Sequence, residues 1–330
     1  FLEGCEKVLV VEEGEPCLEE AIRLCAQRAG LALPIFGKAS GLFSRLFELN
    51  PAMVRKVMGS FFDLSLAESP PVVTADLPAI PERAPNLCPG CPHRATFTAI
   101  RATLGDEAIY PTDIGCYTLG VLPPLSTADF LICMGSSVTT SCGFSKATKK
   151  KVISFIGDST FFHSGIPGLV NAVFNNHNFT LFILDNGTTA MTGHQPNPGV
   201  EMERLGLSGY GRIAIEDVVR AVGVKEVTVI QPFKVKKSIE AVKKAFEFQG
   251  VSVVISKEMC TLYAKQLKLQ RGQRYRVTDK CKNHRDCINQ LGCPAFYLRD
   301  GKVQINPMQC TGCAVCAQIC PENAILPIKD

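Results

Sequence analysis

The last cysteines of the sequence have the spacing of iron–sulfur ligands. They follow the pattern C-x2-C-x2-C-x3-C and are Cys310, Cys313, Cys316 and Cys320. Pro321 comes directly after them. Where such runs occur in pairs, the first three thiolates hold one cluster and the fourth serves the other. A structural zinc site favours two separated C-x2-C pairs, so the run predicts a [4Fe-4S] cluster more strongly than zinc.

A second set of candidate ligands lies upstream and contains a histidine. Cys281, Cys287 and Cys293 occupy three of the four expected positions, and His284 stands at the fourth. Crossed ligation then predicts two clusters, one held by Cys293, Cys310, Cys313 and Cys316, the other by Cys281, His284, Cys287 and Cys320. Imidazole ligates iron in Rieske centres, so His284 is a candidate ligand. The alternative, which stays open, is a three-iron or absent cluster with His284 exposed.

Two strand-like runs end in polar residues that suit a divalent cation. Gly157, Asp158 and Ser159 follow the first run, and Asn186 follows the second. A carboxylate, an amide oxygen and the backbone carbonyl of Thr188 can hold Mg2+ and leave octahedral positions for phosphate oxygens. A Gly-Asp-Ser turn alone is usually structural, but two strand ends of this kind meet at one edge of a parallel sheet. The pair therefore predicts a diphosphate site.

The residues after this turn resemble a known family. The run N-N-H-N-F-T-L-F-I-L-D-N-G-T-T-A-M-T-G-H-Q-P-N-P-G is similar to the thiamine-diphosphate domain of 2-oxoacid:ferredoxin oxidoreductases, and its ending is most similar to their indolepyruvate branch. That family ends in a two-cluster ferredoxin domain, and the likeness covers about residues 88–330. It implies that thiamine diphosphate is bound by Gly157, Asp158, Ser159, Asn186, Thr188, Thr189 and Thr192, with Mg2+ on Asp158, Asn186 and Thr188.

The resemblance also implies a third [4Fe-4S] cluster beside the cofactor. Its ligands would be Cys88, Cys91, Cys116 and Cys260. Apart from the resemblance, the C-x2-C pair could bind zinc or stay reduced near a turn. His93 and His194 are the candidate catalytic residues, because they could face the carboxylate or the reacting carbonyl of a substrate. A lone histidine is more often structural, so this assignment depends on where the fold places them.

The activity that the resemblance implies is oxidative decarboxylation of a 2-oxoacid, here an arylpyruvate such as indolepyruvate. The acyl group would pass to coenzyme A and the electrons to ferredoxin. A pyruvate-type substrate is one alternative, and a non-catalytic polyferredoxin subunit is another, although Asp158 with Asn186 argues against the second. A thiamine decarboxylase without a redox role conflicts with the cysteine run. The family's activating carboxylate lies on a pyrimidine domain that this sequence does not contain, so we expect an oligomer with a polypeptide carrying that domain and a smaller gamma-type subunit.

The elements that must position these residues alternate in type. Strand-like runs at 152–156, 180–184, 226–230 and 252–256 are separated by helical stretches, one of which is predicted to open near Ser164 and point its N–H groups at the phosphates. This alternation predicts an α/β fold with a parallel sheet, the thiamine-diphosphate-binding fold, followed by a small α+β two-cluster ferredoxin domain. The predicted divisions are 1–66, the end of a preceding transketolase C-terminal-like α/β domain; 67–86, a Pro-rich linker; 87–278, the cofactor domain; and 279–330, the ferredoxin domain.

Composition excludes several other classes of protein. The sequence has 330 residues, 16 cysteines and a formal net charge of +4 that is spread along the chain. Cysteines grouped at short spacings without a secretion signal favour metal ligation over disulfides. No apolar run reaches the roughly 18 residues of a membrane span. We therefore expect no nucleic-acid or membrane partner and a cytoplasmic location.

Overall fold

The computed structural model describes residues 1–66, 84–269 and 272–328, and the statements below refer to these residues. The chain divides into two compact units, Phe1–Glu82 and Arg83–Asp330. Most of the predicted Pro-rich linker, residues 67–83, lies outside the described part.

Helices and strands alternate through both units. The α-helices are α1 (Cys17–Arg28), α2 (Pro51–Phe61), α3 (Pro92–Leu104), α4 (Ser136–Ala147), α5 (Asp158–Thr160), α6 (Ile166–Phe174), α7 (Ile215–Ala221), α8 (Val235–Glu247), α9 (Thr261–Gln266), α10 (Asp286–Asn289) and α11 (Val315–Ile319). The strands are β1 (Val8–Leu9), β2 (Ile35–Phe36), β3 (Ala108–Ile109), β4 (Lys151–Gly157), β5 (Phe179–Asp185), β6 (Glu226–Ile230), β7 (Val251–Lys257), β8 (Tyr275–Val277), β9 (Phe296–Arg299), β10 (Lys302–Ile305) and β11 (Ile325–Pro327). Within the described ranges, none of the helices has the length and apolarity needed to cross a bilayer.

The first unit is built on a parallel β-α-β arrangement. β1 pairs with β2 in parallel, and α1 connects them. The carboxylate of Glu12 accepts hydrogen bonds from the backbone N–H groups of Leu18 at 2.8 Å and Glu19 at 2.9 Å, which satisfies free donors in the first turn of α1. Residues 1–66 are predicted to be the end of a preceding α/β domain. Its transketolase-like identity stays a prediction.

The second unit contains a five-stranded, fully parallel sheet in the order β3-β4-β5-β7-β6. The four predicted strands are confirmed, each within one residue of the predicted bounds. β3, at the edge of the sheet, has only two residues, too few to show a periodicity.

Both faces of the sheet are covered, which explains the nearly continuous apolar sequence of its central strands. Neighbouring residues along a strand point to opposite faces. Phe155 and Phe182 pack in one core with residues of α3 and α8. Ile156 and Ile183 pack in the other core with residues of α4, α6 and α7.

The helix that follows β4 begins earlier than predicted. We expected it to open near Ser164, but α5 begins at Asp158 and continues through a π-helical turn, Phe161–Gly165, into α6. Gly157 is still extended, and the Asp158 carboxylate accepts the N–H of Ser159 at 2.8 Å, so helical backbone can start at once. The free N–H groups of this helix therefore lie at the end of β4 itself.

The C-terminal cysteines lie in a small α+β arrangement of two antiparallel strand pairs, β8 with β11 and β9 with β10. β8 belongs to it although it lies before the predicted boundary at 279. The side chain of Gln318 in α11 fastens this part to the start of α8, donating to Phe233 O at 2.8 Å and accepting from Val235 N at 3.0 Å.

Candidate functional site

The two predicted strand ends lie side by side. β4 and β5 are adjacent, with Gly157 opposite Leu184, so the residues after them share one edge of the sheet. The backbone N–H of Gly187 donates to Asp158 Oδ2 at 2.9 Å. The structure thus brings Asp158 to the loop that carries Asn186, as the sequence predicted.

Asp158 is a buried carboxyl group with an unusual proton affinity. It is 3% exposed. Burial and the nearby charge of Asp185 raise its pKa to about 7, while hydrogen bonds from the backbone N–H groups of Ser159 and Gly187 and the nearby amide of Asn197 act in the opposite direction. A carboxyl group that holds its proton this firmly when metal-free is well suited to bind a divalent cation instead.

The side chain of Asn186 is oriented by His93. Its Nδ2 lies 3.3 Å from His93 Nε2. Burial lowers the pKa of His93 to about 4, so the ring is neutral near pH 7 and Nε2 can accept from the amide. The amide oxygen then points away from His93 and accepts from Thr188 N at 3.2 Å, which leaves it a second lone pair. A carboxylate and an amide oxygen together form a donor set that suits Mg2+.

The rest of the predicted binding loop extends away from this buried pair. Thr188 is buried, whereas Thr189 pairs with Gln195 in an antiparallel bridge. Thr192 is exposed and its hydroxyl lies 2.7 Å from Gln195 Oε1. His194 stacks on Tyr263 with ring centroids 5.4 Å apart. Of the two predicted catalytic histidines, His93 therefore contacts Asn186, the predicted Mg2+ ligand, and His194 contacts Tyr263 of α9.

Sequence reasoning missed three residues that shape the site. Asn197 is buried and faces Asp158. Tyr117 fills the space beside Gly157, where a Cβ would lie 2.8 Å from its ring, which explains the glycine at that position. Asp113 is fully buried and accepts from Ser137 N at 2.6 Å, and burial raises its pKa to about 6. These roles depend on long-range contacts that no local spacing reveals.

The four cysteines of the predicted third cluster also come together, and we call Cys88, Cys91, Cys116 and Cys260 the proximal set. Burial, followed by the thiolate charge of Cys260, raises the pKa of both Cys88 and Cys116. Burial raises the pKa of Cys91 to about 12, and Cys88 adds to it. Thiols that raise one another's pKa lie close together, and an iron–sulfur cluster would neutralise the charge that they share.

The proximal set is tied directly to the strand end that carries Asn186. The backbone N–H of Cys260 donates to Asn186 O at 2.9 Å. The hydroxyl of Thr261 donates to Gly90 O at 2.6 Å, which fastens the start of α9 to the Cys88–Cys91 turn. Asn186 thus contacts the candidate cofactor pocket through its side chain and the proximal set through its backbone carbonyl.

Two further groups of predicted cluster ligands lie in the C-terminal part of the chain. The complete ferredoxin set is Cys293, Cys310, Cys313 and Cys316, and the histidine set is Cys281, His284, Cys287 and Cys320. Burial, then the charges of Cys313, Cys293 and Cys310, raise the pKa of Cys316. Burial, then Cys281 and Cys320, raise the pKa of Cys287 to about 11. Both predicted groupings of cysteines are therefore brought together.

His284 lies at a cavity that the three cysteines of the histidine set also line. Its Nε2 is 2.9 Å from Glu322 Oε1. A carboxylate on one ring nitrogen is the usual outer partner of a metal-bound histidine, and it leaves the other nitrogen for a metal.

Sites for a single metal ion are a separate question from sites for a cluster. In the part of the chain that the structure describes, no group of three or more His, Cys, Asp or Glu side chains is arranged to hold one metal ion. A cubane cluster differs from such a site, because each of its cysteines binds a different iron atom.

Comparisons with known proteins identify the same two regions. Residues 113–256 match the family described as thiamine pyrophosphate enzyme, C-terminal TPP binding domain. Residues 303–326 match the 4Fe-4S binding domain. The α/β thiamine-diphosphate-binding fold and the ferredoxin-type domain that follows it are therefore confirmed.

Curated relatives match along the whole chain. The chain is 48% identical over 334 residues to the indolepyruvate oxidoreductase subunit IorA of Methanothermobacter thermautotrophicus, covering 99% of this chain and 53% of that protein. It is 42% identical over 354 residues to the subunit of the same name from Thermococcus kodakarensis, covering 100% of this chain and 54% of that protein. The chain thus spans about half the length of these relatives.

Among solved structures, the 2-oxoglutarate:ferredoxin oxidoreductase of Magnetococcus marinus, with 2-oxoglutarate, coenzyme A and succinyl-CoA bound, has a TM-score of 0.47. It is 18% identical, and the match covers 57% of this chain and 70% of that one.

Proposed function

The chain belongs to the family of indolepyruvate oxidoreductase IorA subunits, and from that premise we propose that it carries the catalytic and electron-transfer centres of a 2-oxoacid:ferredoxin oxidoreductase. The observation that carries the proposal is the position of Asn186. Its side chain lies with Asp158 at the cofactor edge, and its carbonyl accepts the N–H of Cys260 in the proximal set. A site that decarboxylates and a site that accepts single electrons would then share one residue.

The residues proposed to hold the cofactor fit a diphosphate with its cation. Asp158, Asn186 and the carbonyl of Thr188 would bind Mg2+, and the first turn of α5 offers free N–H groups to the phosphates. Thiamine diphosphate, when bound, supplies the electron sink that lets a 2-oxoacid lose CO2. Neutral His93 keeps the Asn186 oxygen turned towards the cation, so we assign it a positioning role as well as the proposed catalytic one.

The three cysteine sets are proposed to hold three [4Fe-4S] clusters that carry electrons away one at a time. Ferredoxin is the proposed acceptor. The proposed substrate is an arylpyruvate, with coenzyme A as the acyl acceptor, and it is supported by the names of the curated relatives. A pyruvate-type 2-oxoacid is the alternative. The proposed partners are a polypeptide that carries the pyrimidine domain and a smaller gamma-type subunit.

Cofactor analysis of the anaerobically purified chain tests this proposal. We expect thiamine diphosphate to bind in the presence of Mg2+, and about 12 iron atoms with equal labile sulfide per chain, since three cubanes hold four irons each. Iron without thiamine affinity would support the polyferredoxin alternative. Thiamine binding without iron would support a decarboxylase with no redox role.

The isolated chain should not turn over 2-oxoacids. The carboxylate that activates thiamine diphosphate is proposed to lie on another polypeptide, so the cofactor would bind here without being activated. The measurement is anaerobic ferredoxin reduction with indolepyruvate and coenzyme A, first with this chain alone and then after addition of the partner polypeptides. Turnover by the chain alone would contradict the proposed division of the site.

The histidine set should hold a cluster whose potential lies above that of the complete ferredoxin set. Imidazole would replace an anionic thiolate by a neutral nitrogen, and less negative charge around iron stabilises the reduced state. His284→Cys should therefore lower this potential, whereas Lys282→Ala, which removes the ion pair of Lys282 with Glu322, should change it little. Electron paramagnetic resonance during an anaerobic redox titration measures the potential in both variants. A three-iron signal in the native protein would exclude ligation by His284.

A further inference from the structure

Arg94 is one of the largest fully buried side chains of the described residues, and the proposed function gives it no role. It is 2% exposed and lies in the first turn of α3, three residues after Cys91. A charged side chain is costly to bury unless its hydrogen bonds and its charge are both compensated. The partners of the guanidinium show how this cost is met.

The guanidinium joins the chain segments that lead into two different cysteine sets. Nη2 donates to Leu87 O at 2.6 Å and to Asn86 Oδ1 at 2.8 Å, and Leu87 directly precedes Cys88. Nη1 donates to Leu291 O at 2.9 Å and Gly292 O at 2.8 Å, and Gly292 directly precedes Cys293. These acceptors are neutral, so they provide partners for both Nη groups without cancelling the charge, while the buried Nε has no hydrogen-bond partner among the described residues.

The charges that face Arg94 come from both sets. Burial lowers its pKa, and the thiolates of Cys293, Cys91, Cys88 and Cys313 act in the opposite direction. Two of these cysteines belong to the proximal set and two to the complete ferredoxin set. The anions that compensate the cation are therefore the cluster ligands themselves.

We propose that Arg94 is a positioning residue for electron transfer, whose fixed positive charge between the proximal set and the complete ferredoxin set raises the reduction potentials of both clusters. The inference rests on the proposed function, because it requires that both sets hold clusters. One electron leaves one cluster and enters the other, with no bond made or broken and no proton moved. Each cluster becomes more negative when it is reduced, and a buried cation stabilises that state in a medium of low dielectric constant. Because one cation serves both sets, their potentials rise together.

The histidine set provides an internal reference. None of the four carbonyl and amide acceptors of the guanidinium adjoins Cys281, His284, Cys287 or Cys320 along the chain, and the thiolates that act on Arg94 belong to the other two sets. The reduction potential of the cluster proposed for the histidine set should therefore respond less to a change at Arg94. A general loosening of the fold would shift all three potentials.

Redox titration of the full chain, followed by electron paramagnetic resonance, tests the proposal with three variants. Arg94→Gln removes the charge and keeps an amide donor, and Arg94→Lys keeps the charge and loses the fork of donors. Asn86→Asp keeps the guanidinium and places an anion on Nη2. Arg101→Gln, on the same helix but bonded to Gly105 and Asp106 at the surface, is the matched control.

In Arg94→Gln we expect at least about a tenfold fall in the reduced-to-oxidised ratio of both clusters at fixed ambient potential, which equals about 59 mV for a one-electron centre. Asn86→Asp should shift both in the same direction by less, and Arg94→Lys and Arg101→Gln should stay close to the native values. Equal shifts in Arg94→Gln and Arg94→Lys would overturn the proposal, because the loss would then be structural. If Arg94→Gln fails to retain its clusters, unchanged potentials in Asn86→Asp would overturn it. Native protein without clusters in these sets would instead refute the proposed function.

Discussion

Replacing Asp158 with alanine should abolish Mg2+-dependent binding of thiamine diphosphate. Asp158 is the one carboxylate proposed as a ligand, and it is held in place by the N–H groups of Ser159 and Gly187. Losing an anionic ligand of a divalent ion should weaken cofactor binding at least about a hundredfold, which is about 2.8 kcal/mol. Isothermal titration calorimetry of the anaerobic chain with and without Mg2+ measures this, and iron content should stay unchanged.

The raised pKa of Asp158 adds a second measurement to the same experiment. A proton must leave the carboxyl group before a cation binds, so affinity for Mg2+ and the cofactor should weaken as the pH falls below about 7. The matched control is Asp185→Asn at the neighbouring strand end, where the native carboxylate is paired with Lys257 at 3.4 Å. That variant should lose far less affinity. Undiminished binding by Asp158→Ala would remove Asp158 from the site.

Replacing Cys116 with serine should remove the proposed proximal cluster and stop ferredoxin reduction by the chain assembled with its proposed partners. A hydroxyl group does not supply the thiolate that iron requires, and the thiolate charges of Cys260 and Cys88 both act on Cys116. Iron content should fall by about four atoms per chain. Decarboxylation should persist in part, because that step belongs to the thiamine cofactor.

The control for this loss is Cys142→Ser. Cys142 is also buried, but it lies in α4 and its thiol donates to Val138 O at 3.4 Å, a bond that a serine hydroxyl can keep. Iron content and rate should stay at native levels in this variant. Ferredoxin reduction that survives unaltered in Cys116→Ser would place the proximal set outside the electron path.

Much of the fold follows from the sequence, because the signals are local. The central strands of the parallel sheet are covered on both faces and therefore read as nearly continuous apolar runs, which is why β4, β5 and β7 were predicted within one residue. The bounds of β3 could not be read in the same way, because a two-residue strand has no periodicity. The helix after β4 was placed too late, since its start at Asp158 depends on a side-chain contact with the next backbone N–H that composition does not show.

Two of the three cysteine sets could be assigned from local sequence patterns, and the third could not. The complete ferredoxin set and the histidine set were assigned from short ligand spacings together with the crossed ligation of two-cluster ferredoxins. The proximal set came only from the family resemblance, because Cys88 and Cys260 are far apart in the sequence and are brought together by the sheet and by the bond from Thr261 to Gly90. Whether His284 binds iron, and the domain boundaries at 66, 86 and 278, stay predictions.

The sequence by itself determined the chemistry of this protein, namely a carboxylate and an amide at two strand ends and thiolates at cluster spacing, because short spacings and strand periodicity are properties of neighbouring residues. Only the tertiary structure decided how these groups act on one another. It turns His93 into a neutral partner of Asn186, joins Asn186 to Cys260, and buries Arg94 between two cysteine sets. Each of these contacts joins segments that lie far apart in the chain or depends on burial, and the pKa values and orientations that follow arise only when the folded core removes water from around these groups.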